Sequence, residues 1–204
     1  MKKKIFLLLI LCLLVAQTIF PQTNRYRLFV ESKNRSEVKL NSLIFLGIIN
    51  PAIEVYVNEY TSLQLEAIGI FFPRNFLWTG EPLTLGAAFL EYRYYFKSNQ
   101  HGFFLGPNAG IGVFRMSKGV IPIIGDSYDG SGALQYGYNM MLGLDIGYKF
   151  NISKYCSFEI CFSPGYQVAR YEGFTPDGGM YVGLKKSGEW LPLYKGGISL
   201  NFKL

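Results

Sequence analysis

The sequence predicts an all-β protein, an eight-stranded antiparallel up-and-down transmembrane β-barrel, and three observations carry that expectation. The first is the run from Tyr136 to Phe150. There Tyr136, Tyr138, Met140, Leu142, Leu144, Ile146, Tyr148 and Phe150 alternate with Gly137, Asn139, Met141, Gly143, Asp145, Gly147 and Lys149. Successive side chains of a strand point to opposite faces, so this is one long strand with a greasy face and a small or polar face. At about 3.3 Å per residue and a tilt near 40° it rises roughly 35 Å, more than an apolar band of about 25 Å. The second is the start of the chain, MKKKIFLLLILCLLVAQTIFPQ, where three lysines precede a continuous apolar stretch. That is the layout of an export signal, and the pattern places its end at about residue 22. The third is the spacing of the connections, which alternate between tight and long.

Residues 23–36, with Asn24, Arg25, Arg27, Glu31, Lys33, Asn34 and Arg35, read as a polar N-terminal arm, and 37–204 as the barrel. Strands are expected at about 37–48, 52–57, 61–71, 83–97, 103–115, 135–150, 155–169 and 190–204, each from period-2 alternation between turn signals. In the first, Val38, Leu40, Ile44, Leu46 and Ile48 form the outer set and Lys39, Asn41, Leu43 and Phe45 the inner set. The fourth sets Leu90, Tyr92, Tyr94 and Phe96 against Phe89, Glu91, Arg93 and Tyr95. Eight amphipathic strands with no helix to cover an open face call for closure into a barrel. With both termini in the periplasm, the long gaps at about 72–82, 116–134 and 170–189 all fall on the outer side, where the first loop alone, near Asn50-Pro51, is expected to be short.

The same alternation would also build a lipocalin-like barrel, apolar inside and polar outside. Glycines decide between them. Gly106, Gly110, Gly112, Gly137, Gly143, Gly147, Gly165 and Gly197 lie in the polar phase, which suits a narrow interior. The apolar phase carries tyrosines and phenylalanines toward strand ends, as at a lipid interface. With the polar phase inward, the interior holds Glu54, Glu66, Glu91, Asp145 and Glu159 against Lys39, Arg93, Lys149, Lys195 and Lys203. Buried charges are tolerated when paired, so this set is expected to form a self-neutralising structural plug. Eight strands leave a lumen just wide enough for side chains.

Composition excludes other readings. Removing Lys2, Lys3 and Lys4 with the leader lowers the formal excess from +6 to about +3, too little to argue for nucleic acid. No later segment has eighteen uninterrupted apolar residues, so a helical span is not expected. Leu11 rather than a small residue precedes Cys12, against lipidation. Cys156 and Cys161 lie on opposite faces about 16 Å apart along one strand and cannot pair. His101 is the single histidine, in a turn on the periplasmic side, and no Cys/His spacing suits a metal, so neither cofactor nor catalytic set is expected. The loop from Ile124 to Gly132 has acids and glycines but not the spacing or final glutamate of a calcium loop.

The elements "VKLNSLIFLGIINPAIEVYVNEYTSLQLEA", "LEYRYYF", "GFFLGPNAGIGVF" and "GYNMMLGLDIGYKFNISKYCSFEICFSPGYQVARYE" resemble a Gram-negative outer-membrane β-barrel family of undefined function. The architecture is similar to that of OmpA/OmpX-type eight-stranded barrels. Many of these end on an aromatic residue read by the barrel-assembly machinery, whereas this chain ends Phe202-Lys203-Leu204. The resemblance implies a small, uncharacterised, porin-like protein of the cell envelope, exported to the outer membrane. It would meet outer-membrane lipid and lipopolysaccharide, and the assembly machinery during insertion. Loops 116–134 and 170–189 are where an extracellular partner would dock; the second joins Arg170, Tyr171, Lys185, Lys186 and Trp190. A structural, adhesive or envelope-interaction role is expected, with a lipid A-modifying enzyme or a narrow transport barrel as alternatives.

Overall fold

The computed structural model describes residues 36–77, 80–98, 100–117, 133–153, 155–175 and 177–204, apart from the side chain of Tyr181. They belong to one compact unit, Asn34–Leu204. The expected export signal, the arm except Ser36, and the loop 124–132 lie outside the described residues. The strands are β1 Ser36–Asn41, β2 Ile48–Ile49, β3 Pro51–Tyr56, β4 Thr61–Phe72, β5 Leu83–Lys97, β6 His101–Ser117, β7 Leu134–Asn151, β8 Cys156–Phe174 and β9 Met180–Lys203. They form one antiparallel up-and-down sheet of nine strands that closes in a ring. The closed circuit runs β1-β3-β4-β5-β6-β7-β8-β9 and back to β1, while β2 and β3 lie end to end along β4.

Alternation placed β4 to β7 to within about two residues, and β5 has its expected bounds. Two expectations are corrected. The first strand, expected to reach residue 48, stops at Asn41, whose side chain accepts the Leu43 N–H at 3.1 Å and caps a short 3₁₀ helix, Ser42–Leu46. Gly47, at φ +76°, ends that helix in the left-handed conformation that glycine adopts without steric cost. Phe45, expected inside, is 88% exposed. The second correction concerns 170–189, expected to be a loop. β8 runs to Phe174, β9 starts at Met180, and only 175–179 connect them, closed by Thr175 N–H to Gly179 O at 2.7 Å.

The short β1 has a consequence for closure. It meets β9 only from Glu37–Lys203 to Asn41–Ser199, so among the described residues Met180–Ile198 has β8 as its one strand neighbour. The ring wall is therefore notched beside β9, next to the capped 3₁₀ turn.

The two faces separate by size as well as polarity. A Cβ built on Gly147 would lie 2.3 Å from Phe104 Cζ and 2.6 Å from the Ile160 carbonyl oxygen, and one on Gly110 would lie 2.2 Å from Phe89 Cδ1. These glycines make room for the buried rings of Phe104 and Phe89. Gly147→Val is therefore expected to lower the urea midpoint of the folded protein by an amount equivalent to about 1–3 kcal/mol or more, because the carbonyl cannot yield. An unchanged midpoint would show that the ring has slack at Phe104.

Candidate functional site

Alternation along β3, β4, β5, β7 and β8 turns every second side chain to the same face, and the ring gathers the charged ones. Nine of the ten expected residues, Lys39, Glu54, Glu66, Glu91, Arg93, Asp145, Lys149, Glu159 and Lys195, are buried. They meet across the ring rather than along it. Lys149 on β7 reaches Glu54 on β3 at 3.1 Å, and Lys195 on β9 reaches Glu91 on β5 at 2.5 Å, each pair spanning opposite sides of the circuit. Side chains on such distant strands can touch only inside.

The ion pairs form one continuous chain in which acid and base alternate. Glu37 meets Lys149 at 2.5 Å, Lys149 meets Glu54, and Glu54 meets Lys39 at 2.7 Å. Lys39 meets Glu159 at 2.6 Å, and Arg93 then bridges Glu159 and Glu91, each at 2.7 Å. Lys195 ends the chain in a fork to Glu91, Glu66 at 2.8 Å and Asp145 at 3.2 Å. An alternating chain with acids at both ends has one more acid than base, and the fork adds a second. The described interior thus holds six carboxylates and four cations, where the sequence predicts five of each.

Two residues account for the difference. Lys203 is half-buried at the end of β9 and donates to Asn151 Oδ1 at 3.2 Å, outside the ion-pair chain. Glu37, fully buried, was missed because it stands at the very start of the barrel region, although its phase is that of Lys39. Neutral donors serve the surplus carboxylates. Tyr95 donates to Glu54 at 2.7 Å beside Ser62, Asn50 to Glu66 at 2.8 Å, and Asn108 to Asp145 at 2.9 Å beside Ser163. Lys149 also donates to Tyr56 at 2.8 Å, and Tyr194 reaches Asn108. Nothing in spacing alone marks these tyrosines; Tyr95 and Tyr194 sit on strands whose neighbouring inward positions are charged.

A void of about 30 Å³ beside Lys39, Asn50, Glu66, Glu159 and Lys195 has room for about one water. Chemically the arrangement fills the interior and gives each of the six carboxylates a cation within ion-pair distance, but with four cations it is not the self-neutralising set that the sequence predicts. Among the described residues no three His, Cys, Asp or Glu side chains are grouped to hold a metal ion. His101 opens β6 opposite Lys97, apart from the chain of ion pairs, and Cys156 and Cys161 are both free thiols.

Fold and site together define a class: an antiparallel ring of strands wrapped around a buried, cross-linked ion-pair chain. Residues 6–204 match the family described as "Protein of unknown function (DUF3575)", and the chain belongs to that family. No curated protein and no solved structure matches it.

Proposed function

We propose that this chain is a small integral outer-membrane β-barrel with a structural, adhesive or envelope-interaction role, exported by its N-terminal segment. The observation that carries the reading is the inversion of polarity. Arg93 is 1% exposed, whereas Leu142 is 65% and Trp190 77% exposed, and Leu65, Leu90, Ile111 and Met140 extend the exposed apolar surface around β4 to β7. Soluble monomers rarely expose a continuous apolar patch beyond a few hundred Å². A wall of this kind is stable where lipid replaces water. The tight connections 57–60, 98–100 and 152–155 lie at the end holding the C-terminus, while at the other end 73–82 is longer and 175–179 is short. No helix among the described residues is long and apolar enough to cross a membrane, so strands would do the crossing.

In this reading the lipid and lipopolysaccharide of the outer membrane surround the wall, and the assembly machinery inserts it. The alternatives are a narrow transport barrel and a lipid A-modifying enzyme. The filled interior argues against the first. The commitment of the buried carboxylates to cations argues against the second.

The decisive experiment is gel migration with and without heating. The folded protein is expected to migrate faster unheated in detergent and to extract with the outer membrane; loss of structure in mild detergent would overturn the barrel. Reconstituted protein is expected to give no steady conductance in a planar bilayer and to leave lipid A unchanged by mass spectrometry. A deacylated or acylated product would replace this reading with an enzymatic one.

A further inference from the structure

Arg170 on β8 and Lys186 on β9 are direct cross-strand partners, and both side chains are exposed. Cβ atoms of directly opposed residues lie about 4.5–5.5 Å apart, and like charges there are destabilising. Among the described residues no carboxylate stands within ion-pair distance of either cation. Arg170 donates to the Tyr138 hydroxyl at 3.4 Å, and neither cation has a carboxylate partner among the described residues, although Glu172 lies two positions along the same face. Two cations side by side, beside an apolar wall, lack a counter-charge.

A groove of about 740 Å³ begins at this pair and runs across the outer wall. Its lining includes Ala88 and Ala109, whose small side chains make a shallow floor, with Leu90, Ile111, Met140 and Leu142 beside them. The register keeps these residues contiguous. Leu90 faces Ala109, which faces Leu142, and Ala88 faces Ile111, which faces Met140. The size is that of a small-molecule site, the lining is apolar along its length, and the charge is confined to one end.

We propose that this surface binds one phosphate-bearing acyl lipid, with its headgroup phosphate on Arg170 and Lys186 and an acyl chain in the groove. An arginine fork and an ammonium match phosphate oxygens, and the pairing removes the like-charge cost. Tyr138 stands beside Arg170 in the same cross-strand row and also lines the groove, so its amphipathic ring flanks the headgroup position. The inference rests on the membrane reading and adds to it a defined lipid position, at the end of the wall where β8 turns into β9.

The test uses the full-length protein in nanodiscs and native mass spectrometry, with lipid A, phosphatidylcholine and inorganic phosphate as separate probes. Retained lipid A adducts are expected to fall about tenfold in an Arg170→Gln/Lys186→Gln variant that still shows heat-modifiable migration. Ala109→Phe, which fills the groove floor and keeps both charges, is expected to weaken lipid A without creating phosphate binding. Equal lipid A retention in all three proteins overturns the proposal, as does competition by inorganic phosphate alone or a dimer in place of the adduct. Absence of heat-modifiable migration in the parent protein defeats the membrane reading itself and is distinguishable from loss of lipid selectivity in a folded barrel.

Discussion

Arg93→Met is expected to lower the stability of the folded ring by about 3–5 kcal/mol, the usual cost of breaking a buried ion pair from one side. Arg93 joins the two halves of the chain of charges: Nη1 donates to Glu159 at 2.7 Å and Nε to Glu91 at 2.9 Å, and the guanidinium lies 4.6 Å from the Phe104 ring centroid. Methionine fills some of the volume but serves neither carboxylate. Lysine is no substitute either, since a single ammonium cannot reproduce the two-sided fork. Arg93→Lys should fall between parent and methionine variant. Urea unfolding in lipid vesicles, followed by tryptophan fluorescence, reads the effect as a shift of midpoint with unchanged slope. A triple variant, Arg93→Met with Glu91→Gln and Glu159→Gln, should recover part of the loss, because the single variant leaves Glu159 with Lys39 alone and Glu91 with Lys195 alone and so enlarges the excess of buried carboxylates over cations. If the single and triple variants are equally unstable, packing rather than charge holds the centre.

The elements that the sequence made legible are those with one wet and one dry requirement along their whole length. In β7 inward polar or small residues, Met141 apart, alternate with outward apolar ones, and in β5 inward Glu91 and Arg93 alternate with outward Leu90, Tyr92 and Tyr94, so both face and extent were readable. β9 escaped because its first half, Met180 to Glu189, carries polar residues and glycines in both phases, and without alternation it resembles a loop. β1 was read too long because Leu43 and Ile44 continue the apolar pattern through a 3₁₀ turn that Asn41 and Gly47 in fact define. The turn chemistry was present and the periodicity outweighed it.

The site was legible as a set and not as a set of partnerships. Phase alone puts Glu54, Glu91, Arg93, Lys149 and Glu159 on one face, and burial follows once the ring closes. Which acid meets which base depends on stagger between strands on opposite sides, a property of closure and tilt that no single strand encodes. Lys203 and Glu37 illustrate the limit at the rim. They are cross-strand partners in register, yet Glu37 turns to Lys149 while Lys203 stays at the edge with Asn151. A one-residue difference in where the interior ends decides both.

The fork at Lys195 carries the second large expectation. Within ion-pair distance Glu66 and Asp145 have no cation but Lys195 among the described residues, whereas Glu91 also has Arg93. Lys195→Met therefore strands two carboxylates at once, and its destabilisation should reach or exceed the upper end of the about 3–5 kcal/mol range for breaking a buried pair. Asn50 and Gln64 beside Glu66, and Asn108 and Ser163 beside Asp145, supply neutral donors that soften the loss without replacing the charge. The pairwise contribution is measurable in a double-mutant cycle. Because Glu66→Gln removes one of the stranded charges, Lys195→Met/Glu66→Gln should be less unstable than the sum of the single variants, by about 1–3 kcal/mol. Strict additivity would mean that Lys195 and Glu66 do not act as a pair, and the fork at Lys195 would then rest on Glu91 and Asp145 alone.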